Sequence, residues 1–166
     1  MRKSKLIPLF LLLSAICLSG FSQYKKNAVV FEVLGKSYYY FDISYERNVT
    51  ERMHIGSGIG FAGIHHLYYS GGDFHEVNFS IPIYVAYSFG QKKHRLISEI
   101  GTSIWGNTTP HSFLSLSDVI PFISAGYEYK GEKYVFRVPV YFAYVGKNEF
   151  FSSVMPWIGV SFGRLF

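Results

Sequence analysis

The stretch Tyr134-Val135-Phe136-Arg137-Val138-Pro139-Val140-Tyr141-Phe142-Ala143-Tyr144-Val145 decides the fold. Its even positions, Tyr134, Phe136, Val138, Val140, Phe142 and Tyr144, are all apolar, with aromatic residues at both ends and valines between them. The odd positions are more mixed and hold the only charge, Arg137. Period-two alternation belongs to a strand with two unlike faces. A half-buried strand of a soluble sandwich alternates too, but an apolar face ordered aromatic, aliphatic, aromatic is the profile of a strand crossing two membrane interfaces. Eleven residues at about 3.3 Å each, tilted about 40°, rise about 28 Å, close to the height of an outer-membrane apolar band.

The pattern repeats outward from this segment. Val154, Ile158, Val160, Phe162 and Phe166 oppose Gly159, Ser161 and Gly163, and Phe79 to Phe89 alternates with Asn78 to Ser88. Ile55, Ile59 and Phe61 oppose His54, Gly56, Gly58 and Gly60, while Phe41, Ile43 and Tyr45 oppose Asp42, Ser44 and Glu46. With Ala28 to Gly35, Arg95 to Trp105 and Val119 to Tyr129 there are eight candidate strands. The polar face is small and glycine-rich, as a narrow lumen demands, and the large apolar residues form the other face. These features predict an all-β chain: an eight-stranded antiparallel up-and-down transmembrane β-barrel over about residues 27 to 166. Proline inside a paired strand removes a ladder hydrogen bond, so bulges or local gaps are expected at Pro82 and Pro139.

Composition agrees with such a surface. The chain has 166 residues, 49% of them apolar and 19% aromatic, and only 16% charged, against about 25% in soluble domains. Arg2, Lys3 and Lys5, the apolar run Leu6 to Leu18 and the exit Ser19-Gly20-Phe21-Ser22-Gln23 read as a cleavable signal peptide over residues 1–23, leaving residues 24–166 as the barrel domain. Without those three cations Lys plus Arg falls from 16 to 13 against 11 acids, a net charge of +2, which removes the support for nucleic-acid binding. Cys17, the single cysteine, lies in the signal core after Ile16, where a lipoprotein signal wants Gly or Ala. The mature chain then has no disulfide and no thiolate metal site. No later run reaches 18 apolar residues, so no transmembrane helix is expected.

The connections predict a direction. Asn48 to Arg52, Gly90 to His94 and Lys130 to Lys133 are short and charged, whereas Ile64 to Phe74, Gly106 to Ser117 and Gly146 to Ser153 read as longer loops rich in small polar residues. Short periplasmic turns alternating with longer outer loops put both chain ends in the periplasm. Among the outer connections only Gly35 to Ser37 looks short.

The ending of the signal at Phe21-Ser22-Gln23, the stretch Phe41-Asp42-Ile43-Ser44-Tyr45-Glu46-Arg47, the strand Gly56-Ser57-Gly58-Ile59-Gly60, Ser98-Glu99-Ile100-Gly101 and the ending Val160-Ser161-Phe162-Gly163-Arg164-Leu165-Phe166 carry a resemblance. Together they resemble the small outer-membrane β-barrel proteins of Bacteroidota-type bacteria, eight-stranded and OmpA/OmpX-like. The resemblance covers most of the mature chain and implies a barrel in the bacterial outer membrane, with no catalytic residue to transfer. It also implies that Phe166 matches the terminal signal read by the barrel assembly machinery.

The alternation points Glu32, Asp42, Glu46, Glu99, Glu128 and Arg137 into the lumen. A hairpin through Lys130 to Lys133 would set Arg137 opposite Gly126 and diagonal to Glu128, with Glu99 the next carboxylate across the interior. Such charges form a structural ion network in a lumen filled by side chains; a proton path or small pore is the minor alternative. His65, His66, His75 and His111 lack the HxxxH spacing of a helical metal site, and no cofactor is called for. His111, Ser112 and Ser115 with Glu99 supply the residue types of a Ser/His/acid hydrolase, so an outer-membrane lipid-A esterase is the alternative to a non-catalytic barrel whose loops serve envelope integrity or surface contact. Tyr68 and Tyr69 are candidate contact residues or interfacial anchors. The partners expected are outer-membrane lipid, lipopolysaccharide and the assembly machinery, with the protein a monomer.

Overall fold

The computed structural model describes residues 27–37, 40–69, 72–109, 112–144 and 154–166. The expected signal peptide, His111 and the 145–153 connection lie outside the described residues. Nine strand segments follow in order: β1 (Asn27–Val33), β2 (Phe41–Asn48), β3 (Met53–Tyr69), β4 (Gly72–Phe89), β5 (His94–Thr109), β6 (Ser112–Lys130), β7 (Tyr134–Tyr144), β8 (Val154–Ile158) and β9 (Val160–Leu165). Each pairs antiparallel with its sequence neighbour from β1 to β7. Segment β7 then pairs with both β8 and β9, and β9 returns to β1. The sheet therefore closes on itself. Segments β8 and β9 are two halves of one span, interrupted at Gly159, so the wall is an eight-stranded antiparallel barrel. One end holds Asn27, Phe166 and the connections 49–52, 90–93 and 131–133; we call it the turn end and the opposite one the hairpin end.

The two prolines act as ladder chemistry requires. The β3–β4 register steps from Ser57↔Ile83 to Gly60↔Ser80 without a bridge at Pro82, while Pro82 pairs Ser103 on the other side. Pro139 pairs Gly126 on β6, and opposite it the last span breaks, with Gly159 N–H donating to the Pro139 carbonyl at 2.9 Å. Both are gaps in register. Register shifts fall elsewhere, between Phe61 and Gly63 and around Trp105–Thr109.

Two expected loops are strand. Ile64 to Phe74 and Gly106 to Ser117 continue the β3–β4 and β5–β6 ladders as far as Tyr69↔Gly72 and Thr109↔Ser112. Polar composition there marks the exit from an apolar solvent; the backbone keeps its ladder hydrogen bonds wherever a partner strand runs alongside.

The outer face carries the large apolar side chains. Ile59, Leu96, Ile100 and Val119 are 63%, 65%, 64% and 67% exposed, which no water-facing sheet sustains over a whole circumference. Toward the hairpin end Phe31, Phe41 and Phe61 form a ring-to-ring run at 5.7 and 5.8 Å. Toward the turn end Tyr134 meets Phe162 at 5.5 Å and Tyr87 meets Phe89 at 4.8 Å. An aliphatic band lies between these two aromatic girdles, the arrangement a hydrocarbon slab with two interfaces selects.

Inside, glycine makes room. A Cβ at Gly60 would occupy the place of the Ser37 hydroxyl, and one at Gly56 would enter the Tyr84 ring.

Candidate functional site

The interior holds two ion networks stacked along the barrel axis. Nearer the turn end, Arg137 on β7 donates to Glu46 on β2 from both terminal nitrogens, at 2.6 and 2.9 Å, and from Nε to Glu128 on β6 at 2.8 Å. Tyr84 Oη donates to Glu46 at 2.7 Å and Ser88 Oγ to Glu128 at 2.7 Å. His54 Nε2 stands 3.7 Å from Glu46. Glu46, Glu128, Arg137 and His54 are all buried. Planar guanidinium chemistry suits this place, since one fork can hold carboxylates from two different strands.

Nearer the hairpin end the organiser is Lys36. It comes from residues 34–37, where Lys36 and Ser37 are buried in the mouth of the barrel behind Leu34, a non-glycine residue at φ 59°, a conformation that bulky side chains adopt only when their surroundings impose it. Lys36 Nζ bonds Glu32 at 2.7 Å and Tyr141 Oη at 3.0 Å, and lies 3.5 Å from Glu99. Tyr141 Oη lies 2.7 Å from Glu32 and 3.1 Å from Glu99, its single proton shared between the two carboxylates. Ser103 Oγ holds the Lys36 carbonyl at 2.6 Å and Trp157 Nε1 holds the Gly35 carbonyl at 2.8 Å. The Lys36 ammonium also stands 4.4 Å from the centre of the Tyr84 ring. Asp42 accepts from Ser44 Oγ at 2.8 Å.

Each charged residue expected inside is inside: Glu32, Asp42, Glu46, Glu99 and Glu128 are at most 2% exposed, and Arg137 is 2% exposed. The pairing differs in two respects. Arg137 sits directly opposite Glu128, with Gly126 opposite Pro139, because the hairpin turns one residue later than expected, with Gly131 N–H donating to the Tyr134 carbonyl, and this moves the pairing by two residues. Its second partner is Glu46, whereas Glu99 turns toward Lys36, Tyr141 and Ser124. Lys36 itself escaped the sequence reading, since a lysine after a glycine in a short connection reads as a solvated turn. The signal available was an excess of inward carboxylates over a single inward arginine.

Of the residue types expected for a hydrolase, Glu99 lies far along the strand from the two serines. Ser115 pairs Asn107 and Ser112 pairs Thr109 near the hairpin tip, while Glu99 pairs Ser124. Eight residues of β5 separate the Glu99 and Asn107 levels, about 26 Å of strand, and the Glu99 side chain is buried in the lumen. Adjacent His65 and His66 pair in register with Glu76 and His75 in the β3–β4 hairpin. Among the described residues no group of His, Cys, Asp and Glu is arranged to hold a metal ion. Side chains pack the lumen, and Glu99 Oε1 and His54 Nε2 are buried there without a hydrogen-bond partner among the described residues.

No protein-family model matches the sequence, and no curated protein matches it. Solved structures do. The N-terminal β-barrel domain of Pseudomonas aeruginosa OprF superposes with a TM-score of 0.52 at 14% identity, over 87% of this chain and 100% of that one. Neisserial surface protein A gives 0.50 at 13% identity, over 84% of this chain and 92% of that one. At such identities the likeness is one of fold, a small closed barrel.

Proposed function

We propose that the chain is an integral protein of a bacterial outer membrane, of the Bacteroidota-type set that its sequence resembles, with a structural or surface-contact role and no catalytic one. The observation that carries this reading is the inversion of the barrel: aliphatic and aromatic side chains outside, carboxylates, an arginine and a lysine inside. Water would favour the reverse arrangement, whereas lipid favours this one. The turn end lies in the periplasm and the hairpin end outside the cell. There β3–β4 and β5–β6 continue past the aromatic girdle, offering two hairpins for surface or envelope contact. The barrel is a monomer within outer-membrane lipid and lipopolysaccharide, exported by its signal peptide and inserted by the assembly machinery through the strand ending at Phe166.

The test is refolding in detergent. A heat-modifiable band on a gel with β-rich circular dichroism supports the reading; a helix-rich spectrum, or full solubility without detergent, overturns it. Mass spectrometry of lipid A from cells with and without the protein addresses the esterase alternative. An unchanged profile supports the non-catalytic role, and loss of an acyl chain overturns it.

A further inference from the structure

Charge is sorted along this barrel as sharply as hydropathy is across its wall. Apart from the two lumen cations Lys36 and Arg137, every Lys and Arg among the described residues lies at the turn end: Arg47, Arg52, Lys92, Lys93, Arg95, Lys130, Lys133 and Arg164. Outside the lumen, only Glu51 and Glu132 among the described residues oppose them there. The hairpins at the other end bring Asp73, Glu76 and Asp118 and no described cation.

One of these cations differs from the rest in its setting. A groove of about 730 Å³ runs down the outer face across β2 to β5. Two rows of the ladder form it. Tyr45, Ser57, Ile83 and Thr102 lie side by side in register, and Arg47, Ile55, Val85 and Ile100 lie side by side one step nearer the turn end. Ser57 and Thr102 are short, flanking the tall Ile83, so the wall is thinned where the neighbouring rows stand high. Arg47 closes the groove at the turn end, points outward and has no carboxylate partner among the described residues.

We propose that this groove is a site for one anionic phospholipid of the leaflet at the turn end, its phosphate on Arg47 and an acyl chain along Ser57 and Thr102. The inference rests on the membrane reading above and adds a ligand and a place. Three observations select that occupant. The groove lies on the apolar outer face and is walled by Tyr45, Ile55, Ile83, Val85 and Ile100, so what fills it has a hydrocarbon part. Its one charged terminus is a guanidinium, which takes a phosphate through two parallel hydrogen bonds. The surrounding excess of cations favours an anionic headgroup over a zwitterionic one. A water-soluble anion would prefer the other basic feature of this end, a recess of about 640 Å³ lined by Lys92, Lys93, Arg95 and Lys130, so the two sources of phosphate are separable.

The experiment is native mass spectrometry of the full barrel released from nanodiscs of equal phosphatidylglycerol and phosphatidylcholine. The expected result for the wild type is a single retained lipid, with phosphatidylglycerol favoured about fivefold. Arg47→Gln should bring the ratio close to one, and Ser57→Trp should remove the retained lipid by filling the groove. Arg164→Gln, on the same end but away from the groove, should leave both unchanged. Heat-modifiable migration establishes that each variant is folded. Equal retention of the two lipids by folded wild type overturns the proposal, as does an Arg164→Gln effect as large as that of Arg47→Gln, which would mean a diffuse ring of charge. Displacement of the lipid by inorganic phosphate alone overturns the acyl-chain part. A barrel that stays in water and enters no nanodisc overturns the membrane reading instead, so the two failures are distinct.

Discussion

Replacing Arg137 by Ala should be among the most costly single changes in the barrel. The guanidinium makes three charge-assisted hydrogen bonds, at 2.6, 2.9 and 2.8 Å, to two carboxylates that are 1% and 0% exposed. Afterwards Glu46 keeps Tyr84 and His54 beside it and Glu128 keeps Ser88, but both charges face a low-dielectric interior without their cation. Removing one partner of a buried pair costs about 3–5 kcal/mol. Two acceptors lose a cation here, yet water can enter the space vacated by the side chain, so we expect about 4 kcal/mol. With a urea slope of about 2 kcal/mol per molar, the unfolding midpoint in detergent micelles should fall by about 2 M, read by gel migration or by the fluorescence of Trp105 and Trp157. Two controls separate charge from volume. Arg137→Met fills the space and should recover little by itself, whereas Arg137→Met with Glu46→Gln and Glu128→Gln should recover most of the loss. Lys133→Ala, at an exposed turn, should cost less than about 0.5 kcal/mol. A midpoint for Arg137→Ala equal to that of the wild type, at an unchanged slope, would refute the idea that this pair holds strands β2, β6 and β7 together.

Lys36→Met leaves Glu32 and Glu99 without their cation and should cost about 3 kcal/mol, with faster amide exchange over residues 34–37 as the local readout. Gly126→Ala should lower stability by about 1–3 kcal/mol in the same urea titration, because its Cβ would press into the backbone of Val138 and Pro139 on the neighbouring strand. The wild type in planar bilayers should show no stable conductance, since side chains fill eight-stranded interiors; openings that persist through purification controls would mean a wet lumen. Deleting Phe166 should spare folding in detergent, where the residue contributes its exchange of backbone hydrogen bonds with Asn27, yet reduce the amount reaching the membrane in cells.

Period-two patterning by itself determined the strands, the two faces and the inward direction of the acidic residues, because side chains of a strand alternate strictly and a one-residue slip would invert every one of them. The Tyr134–Tyr144 strand could be read in full for that reason: each of its faces is chemically uniform enough to name its solvent. What lay beyond reach was decided by contacts across the closed ring. Whether Arg137 meets Glu46 or Glu99 depends on barrel stagger, which sums the registers of every strand between β7 and β2 and is written in no single segment. Lys36 illustrates the same limit, since an inward placement of Lys36 and Ser37 becomes favourable only once Glu32, Glu99 and Tyr141 converge from separate strands to receive the ammonium. The extent of β3 to β6 past the girdle also belongs to the tertiary structure, because a polar segment extends as strand or turns as loop according to whether its neighbour runs beside it. The groove beneath Arg47 has the same origin: it joins four strands that are adjacent in space, and its short residues Ser57 and Thr102 lie far apart in the chain.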